Sequence, residues 1–324
     1  MKRIRNALLL LVSVLIGFVA RGESGVVVTH PFEGITFIAR AETSPRPVNL
    51  HVVRIDLTAP GISFKLTPPG GGRDTIRQTT LDFLNRENAQ IAINAHFFVP
   101  YPSAETNVDV VGLAVSEGNV YSPFEPQPVG TGYVDQSYAI LPYAPALNID
   151  RSNRVTIVHR DPAYRDNRHV LERVTLWNTV SGSAQIVSDG LKTIPAYSGF
   201  PKGLTPSKTY TETNSWYALA RARTAIGVTA DQKALIILTV DQAGGSSGMT
   251  VGEVADLLIK DYQVENALNL DGGGSTTLVM QDPVTRAGRV VNISSDEAQG
   301  RAVGSNLAVF AKALSANRTL PPTR

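Results

Sequence analysis

The chain has 324 residues, with 30 Lys and Arg against 28 Asp and Glu and a formal net charge of +2. Four of the basic residues and none of the acidic ones lie in residues 1–22, so the remainder has no basic excess, and we exclude nucleic acid as a partner. The chain has no cysteine, which excludes disulfides and thiolate metal sites and leaves the core to stabilise the fold.

Residues 1–22 have the pattern of a secretory signal peptide. Lys2, Arg3 and Arg5 precede an apolar run from Ala7 to Ala20, and this run is shorter than the roughly 20 apolar residues that cross a bilayer. We expect cleavage after Gly22, a secreted or periplasmic protein and no transmembrane segment in the remainder. The alternative is an uncleaved anchor.

Residues 23–313 are expected to form a single domain, followed by a flexible tail at 314–324. No linker, repeat or charge block divides this length. Its first part alternates apolar and polar residues in "GITFIAR", "NLHVVRIDL" and "ISFKLT". This is the period of half-buried strands and predicts an antiparallel start.

A short helix is predicted next, at residues 79–88 with Thr79 or Thr80 as its N-cap. It leads into "QIAINAHFF", a buried strand that ends in a polar cluster. Residues 99–170 have weak periodicity and are predicted to be strands with long surface loops. The stretch "TAIGVTADQKALIILTVD" then predicts two strands. The second of them is apolar on both faces and is therefore expected at the centre of a sheet.

The second predicted helix is "MTVGEVADLLIKDY", in which Thr250 and Glu253 have the spacing of a capping box. The strand "NALNLD" follows, then three consecutive glycines, then the strand "STTLVM". This order places Asp271 at the carboxyl end of a buried strand, where α/β proteins tend to place ligand chemistry.

Three consecutive glycines within "NLDGGGST" need a geometric reason, because each costs about 0.5–1 kcal/mol relative to alanine in regular structure. A glycine-rich turn after a strand suggests phosphate binding by backbone N–H groups. No Lys follows these glycines, as a P-loop requires, and the next segment is strand-like, whereas a dinucleotide-binding motif opens a helix. A tight hairpin without a ligand is the alternative.

The ordered set "AINAHFF", "SGSAQIVSDGLK", "RARTAIGVTADQKALIILTVD", "GMTVGEVADLL", "NLDGGGSTTLVM" and "GRAVGSNLAVF" resembles the phosphodiester glycosidase family over residues 75–312, as a bacterial-type member. The resemblance implies an α+β fold with helices packed on a long mixed, largely antiparallel β-sheet. It also implies hydrolysis of an α-N-acetylglucosamine joined through phosphate to another sugar. The partner is then a glycan or sugar-phosphodiester substrate; the oligomeric state is left open.

The resemblance matches Arg223 and Arg301 to arginines of the family, and a planar guanidinium fork suits bidentate phosphate recognition. A solvated or structural ion pair is the alternative for each arginine. The other residues expected to contact the sugar or the phosphate are Asn94, Thr224, Gly272, Gly273, Gly274, Ser275 and Thr276. At the glycines, missing side chains would leave space for the substrate, and free N–H groups would donate to phosphate.

Asp271 matches the acid of the family's "DGGGS" turn and is the predicted catalytic carboxylate, as nucleophile or as base for water. A turn acceptor is its structural alternative. Asp241 and His96 are further candidates for catalysis, with a turn residue and a structural histidine as their alternatives. No zinc site is expected; if a divalent cation such as calcium is bound, Asp271, Asp241 and Asn269 are its predicted ligands.

We therefore expect an exported hydrolase that cleaves a glycosyl-1-phosphodiester in a cell-surface or extracellular glycan. Two alternatives remain open at this point. The first is a non-catalytic protein of exopolysaccharide binding or biosynthesis that keeps the fold. The second is a glycosidase acting on ordinary glycosidic bonds, which would need a second carboxylate about 5 or 9 Å from Asp271.

Overall fold

A computed structural model describes residues 25–126, 140–194 and 216–314. The predicted signal peptide at residues 1–22 lies outside these ranges, as does the predicted tail at 314–324 apart from Leu314. Within the described ranges, no helix combines the length and the hydropathy needed to cross a membrane.

Strands account for most of the regular structure. The described residues contain two α-helices, α1 (Thr80–Glu87) and α2 (Val251–Tyr262), and a short 3₁₀ helix at Gly273–Ser275. The strands in chain order are β1 Gly25–Phe32, β2 Ile35–Glu42, β3 Val48–Asp56, β4 Ser63–Leu66, β5 Thr75–Ile76, β6 Ile91–Asn94, β7 Phe98–Val99, β8 Asn107–Val110, β9 Ala114–Ser116, β10 Asn119–Ser122, β11 Ala146–Ile149, β12 Val155–Val158, β13 Asn178–Ser181, β14 Ala184–Ser188, β15 Leu191–Lys192, β16 Arg223–Thr229, β17 Ala234–Val240, β18 Val264–Asn269, β19 Leu278–Gln281, β20 Gly288–Val290 and β21 Asn306–Phe310.

The largest sheet has eight strands in the order β1-β2-β3-β17-β16-β18-β14-β15. β16 and β17 lie at its centre, pair antiparallel and are buried along their whole length. The sequence predicted this central position from a strand that is apolar on both faces, and the prediction is confirmed.

Two five-stranded sheets pack against one face of the largest sheet. Their strand orders are β10-β9-β13-β11-β12 and β20-β19-β6-β21-β4. Side chains from all three sheets form the main core, among them Ile237 of β17, Ile93 of β6 and Leu147 of β11. A three-stranded sheet, β5-β8-β7, completes the described structure. The main core is thus built between sheets.

Each helix covers the outer face of one sheet. Val254 and Leu258 of α2 pack on the largest sheet, on the face opposite the main core. Phe83 and Leu84 of α1 pack on the sheet that contains β6. Both helices were predicted from their apolar spacing, and both predictions are confirmed.

The caps explain where the helices begin. Thr79 accepts a hydrogen bond from the Asp82 amide at the start of α1. Thr250 and Glu253 form both halves of a capping box at the start of α2, as their spacing predicts.

The expected fold class is wrong. The described residues are 41% strand and 9% helix and form several sheets, whereas the prediction was helices packed on one long mixed sheet. All strand pairings in the described ranges are antiparallel, including the central β16–β17–β18 ladder. The physical reason is that sheets pack on sheets here, so two helices suffice to cover the outer faces.

Candidate functional site

The glycine turn lies where the largest sheet meets the sheet that contains β6. Leu270 and Asp271 follow β18; the Leu270 amide donates to the Thr224 carbonyl at 2.9 Å, and the Asp271 amide donates to the Ala95 carbonyl at 3.1 Å. Thr224 belongs to β16 of the largest sheet, whereas Ala95 directly follows β6. Asp271 is therefore held by both sheets.

Asp271 is a buried carboxylic acid with 9% of its surface exposed. Its Oδ1 accepts from the Gly272 amide at 2.8 Å, and the Ser275 hydroxyl also bonds to the carboxyl. Burial raises the pKa of Asp271 to about 6, against the opposing effects of the Ser275 hydrogen bond, the Arg301 charge and the Gly272 amide. Asp271 is thus mostly ionised at neutral pH but close to titration.

Arg301 supplies the positive charge that acts on Asp271. Its Nη1 donates to the Ser275 hydroxyl at 3.2 Å and its Nε donates to Asp296 at 2.7 Å. The guanidinium also stacks over Tyr101, 4.5 Å from the ring centre. Since the Ser275 hydroxyl accepts from Arg301 and bonds to Asp271, the carboxylate and the guanidinium are connected through one side chain.

The three glycines have separate structural reasons. A Cβ at Gly272 would stand 2.8 Å from the Ala222 carbonyl and 3.2 Å from the Trp216 ring. Gly273 has a φ of +60°, which favours glycine. A Cβ at Gly274 would overlap the Arg301 guanidinium. The missing side chains therefore make room for Trp216, for a left-handed turn and for Arg301.

The amides of the turn are largely used within the protein. Gly272 donates to Asp271, Gly273 to the Ala222 carbonyl, Ser275 to the Gly272 carbonyl and Thr276 to the Gly273 carbonyl. These four amides are not the free phosphate donors that the sequence predicted.

Asn94 connects the two sheets at this point. Its Nδ2 donates to the Asp271 carbonyl at 2.6 Å. Its Oδ1 accepts from the Thr224 hydroxyl at 2.8 Å and from the Thr277 amide at 3.1 Å. The Thr224 hydroxyl also lies 3.4 Å from that of Thr276. The sequence predicted that Asn94, Thr224 and Thr276 contact the substrate. In the structure all three side chains are buried, and they bond to one another or to the turn.

Arg223 is not part of this group. Side chains alternate along β16, so Arg223 lies on the face that Ala225 presents to α2, opposite Thr224. It is completely buried, its guanidinium donates to the carbonyls of Met249, Trp216 and Leu219, and burial lowers its pKa to about 9.

The Arg223 guanidinium stacks over the Trp216 ring at 4.4 Å, and its Nη1 has no hydrogen-bond partner in the described ranges. The structure thus brings Arg301, and not Arg223, to Asp271.

Asp241 directly follows β17 and is completely buried. Its Oδ1 accepts from Asn292 Nδ2 and from the Ile293 amide, both at 3.2 Å. Its Oδ2 lies 4.0 Å from His51 Nδ1, and neither atom has a hydrogen-bond partner among the described residues. Burial raises the pKa of Asp241 to about 7 and lowers that of His51 to about 4.

His96 is enclosed and bonded at both ring nitrogens. Its Nε2 accepts from the Ser181 amide at 2.9 Å, which makes Nδ1 the protonated nitrogen that donates to the Ser305 hydroxyl at 2.8 Å. Burial lowers the pKa of His96 to about 4. This side chain therefore remains neutral at physiological pH and links three segments of the fold.

Asn269, predicted with Asp241 and Asp271 as a calcium ligand, is bonded through its amide nitrogen. Its Nδ2 donates to the Ser183 hydroxyl at 2.8 Å and to the Leu270 carbonyl at 3.2 Å. In the part of the chain that the structure describes, no group of three or more His, Cys, Asp or Glu side chains is arranged to hold a metal ion.

Five residues at the site were missed at the sequence level: Trp216, Tyr101, Asp296, Asn292 and His51. Trp216 and Tyr101 belong to none of the sequence motifs. Trp216 is recognised only from its contacts with Gly272 and Gly273, and Tyr101 only from its contact with Arg301. Asn292 stands out in the sequence only as the first residue of an N-I-S triplet.

A buried carboxylate connected through a hydroxyl to an arginine suits a hydrolase that acts on an anionic substrate. Residues 87–310 match the model of the family described as phosphodiester glycosidase. The chain therefore belongs to the phosphodiester glycosidase family.

One relative is the N-acetylglucosamine-1-phosphodiester alpha-N-acetylglucosaminidase of Bos taurus, which is 38% identical over 87 residues. That match covers 26% of this chain and 15% of the bovine protein. The match thus spans a small part of this relative.

Three solved structures share the fold. The auto-inhibited catalytic domain of the zebrafish N-acetylglucosamine-1-phosphodiester alpha-N-acetylglucosaminidase has a TM-score of 0.56 at 20% identity, covering 90% of this chain and 83% of that one. A hypothetical protein from Synechocystis has a TM-score of 0.58 at 18% identity, covering 89% and 64%. A candidate exported protein from Burkholderia pseudomallei has a TM-score of 0.58 at 14% identity, covering 89% and 96%.

Proposed function

We propose that this protein is an exported hydrolase that cleaves a glycosyl-1-phosphodiester, an α-N-acetylglucosamine-1-phosphate linkage or a close analogue, in a cell-surface or extracellular glycan. Family membership over residues 87–310 supports the reaction class. The observation that carries the proposal is the Asp271–Ser275–Arg301 connection, which places a carboxylate and a cation next to each other.

Asp271 acts at the anomeric carbon in this proposal. A glycosyl transition state develops positive charge on the sugar, which a carboxylate stabilises, either by direct attack or by activating water. With a pKa of about 6, Asp271 is mostly ionised at pH 7 and yet remains basic enough to take a proton from water. The hydrogen bond from Ser275 fixes the orientation of the carboxyl.

Arg301 holds the phosphate. Its side chain is 16% exposed, and Asp296 and Tyr101 fix its position. A guanidinium matches two oxygens of a phosphodiester and stabilises the charge on the departing phosphate. Arg223 supports this site indirectly. It donates to the carbonyl of Trp216, and the Trp216 ring packs against Gly272.

The reaction needs no strong general acid. A phosphate monoester is a far weaker base than an alkoxide, so the C1–O bond can break without prior protonation of the leaving oxygen. The enclosed positions of His96 and Asp241 agree with this, because neither side chain has exposed surface from which to protonate a substrate. Water then completes the reaction, giving the free amino sugar and a phosphomonoester.

Export is the second part of the proposal. It rests on the signal-peptide pattern of residues 1–22, on the lack of a membrane-spanning helix within the described ranges and on the structural likeness to a candidate exported protein. Expression of the full chain in a bacterium with N-terminal sequencing of the product tests it. A product beginning at Glu23 supports cleavage after Gly22, and a product that retains Met1 in the cytoplasm contradicts it.

The activity is tested by measuring the release of N-acetylglucosamine from UDP-N-acetylglucosamine and from the methyl phosphodiester of α-N-acetylglucosamine-1-phosphate. The wild type is expected to release the sugar from at least one of them, and Asp271→Asn is expected to lose at least about 1000-fold in kcat. Asp256→Asn, an exposed carboxylate on α2, is the control. Equal rates for the wild type and Asp271→Asn would contradict the role of Asp271. Faster cleavage of p-nitrophenyl α-N-acetylglucosaminide would point to ordinary glycosides as substrates.

A further inference from the structure

Two buried asparagines hold the two ends of the glycine turn. Asn94 joins the near end to the far end: its Nδ2 donates to the Asp271 carbonyl and its Oδ1 accepts from the Thr277 amide. Asn292 binds the far end: its Nδ2 donates to the Thr276 carbonyl at 3.2 Å, and its Oδ1 accepts from the Leu278 amide at 2.8 Å. The turn between them contains Ser275, the residue that connects Asp271 to Arg301.

The orientation of the Asn292 side chain depends on Asp241. An asparagine amide has one end that donates and one that accepts, and a flip would place oxygen against oxygen at the Thr276 carbonyl. Asp241 Oδ1 accepts from the same Nδ2 at 3.2 Å, which favours the orientation that also serves Thr276 and Leu278. The Ile293 amide donates to the same Oδ1 and fixes the carboxyl in turn.

We propose that Asp241 and Asn292 form a positioning clamp that sets the place of Ser275, and through it of Asp271, for the hydrolysis. The inference rests on the proposed function, in which Asp271 acts on the substrate. Asp241 is a positioning residue in this scheme, because it is completely buried and acts through Asn292. Asp241 Oδ2 lies 4.0 Å from His51 Nδ1.

The clamp acts on turnover more than on substrate binding. Displacement of Thr276 shifts the adjacent Ser275 and with it the Asp271 carboxyl. Arg301, the proposed phosphate ligand, keeps its separate bond to Asp296 and its contact with Tyr101. Loss of the clamp therefore lowers kcat while KM changes little.

Kinetic variants test the clamp. Asp241→Ala and Asn292→Ala are expected to lower kcat at least about tenfold with KM within about threefold, since small misplacements of a catalytic group are costly. Asp241→Asn keeps an oxygen that accepts from Asn292 and is expected to stay within about threefold of the wild-type kcat. This conservative variant separates an acceptor role from a role in the chemistry.

Asn178→Ala is the matched control. Asn178 is equally buried, donates to the Phe64 carbonyl and accepts from the Leu66 amide, but it lies on β13, where it has none of the contacts of the turn. It is expected to lose stability while keeping kcat. If Asn292→Ala also keeps kcat, the clamp is only structural and the inference fails. If the kcat of Asp241→Asn falls as far as that of Asp271→Asn, Asp241 acts in the chemistry and the inference also fails.

Hydrogen exchange gives a readout that does not depend on the activity. Amides of residues 276–278 are expected to exchange faster in Asp241→Ala and Asn292→Ala than in the wild type, and at wild-type rates in Asp241→Asn and Asn178→Ala. If the wild type cleaves no phosphodiester and this exchange pattern holds, the proposed function fails and the clamp stands. Unchanged exchange in Asn292→Ala would overturn the clamp itself.

Discussion

The guanidinium of Arg301 occupies the space that a side chain at Gly274 would fill. A methyl group at this position would overlap the guanidinium and come within 3.0 Å of Asp296 Cβ, so the alanine variant has to displace the arginine. We expect Gly274→Ala to raise KM for a phosphodiester at least about tenfold, because the phosphate would lose its bidentate partner. Steady-state kinetics measure this. Gly70→Ala, where nothing lies within 4 Å of the new methyl, is the control and is expected to match the wild type.

The two arginines are expected to differ in how much each contributes to the free energy of unfolding. Arg223→Met would remove one buried hydrogen-bond donor from each of the carbonyls of Met249, Trp216 and Leu219, and we expect a loss of about 3 kcal/mol or more in the free energy of unfolding. Arg301→Gln removes a partly exposed ion pair and should change that free energy by less than about 1 kcal/mol. Urea denaturation of both variants gives the comparison; equal losses would contradict it.

The activity should fall in acid because of Asp271. Burial raises the pKa of this carboxyl to about 6, and the ionised form is the one that attacks the sugar carbon or activates water. As the pH drops through about 6, the carboxylate gains a proton, and kcat is expected to decrease about tenfold per pH unit below that value. A pH profile of kcat between 4 and 8 measures the effect. A profile that stays flat down to pH 4.5 would remove Asp271 from the proton-dependent step.

Asp241 should make stability depend on pH in the opposite sense to most acids. Its pKa rises from 3.8 to about 7 on folding, so the folded state holds a proton that the unfolded state has lost between these values. The contribution of Asp241 to the free energy of unfolding is therefore greatest below pH 3.8 and is lost as the pH rises through about 7. Asp241→Asn removes this loss. Between pH 4 and pH 8, its free energy of unfolding should therefore rise relative to that of the wild type by on the order of 2–4 kcal/mol.

Denaturant unfolding at the two pH values checks this prediction. Asp256→Asn, a control at an exposed carboxylate, should show the wild-type dependence on pH. A constant difference between the wild type and Asp241→Asn across the range would show that the carboxyl keeps an ordinary pKa in the folded protein.

Local structure could be predicted from the sequence, and the packing of the sheets could not. The Thr250–Glu253 capping box and the apolar strand β17 depend on neighbouring residues, and both were predicted. The pairing of β3 with β17 and of β6 with β19 and β21 joins distant segments, and no local period specifies it. The fold class was therefore wrong even though the elements around the site were predicted.

The same limit applies to the site. Asp271 and Arg301 were identified from motifs, and the structure connects them through Ser275. Arg223 was expected beside them because the resemblance matches it to an arginine of the family. Which face of that strand it occupies depends on strand register, and its side chain packs on the side of α2.

Asn94 and Asp271 are 177 positions apart in the chain, and Thr224 and Asn94 are 130 apart. These contacts can form only after β6 and β16, which belong to different sheets, have docked. Pairings of such long range are slow to close. We therefore expect the contacts of the glycine turn to form late in the folding of a newly made chain, and a fragment that carries only one of the two sheets would hold the motif without these contacts.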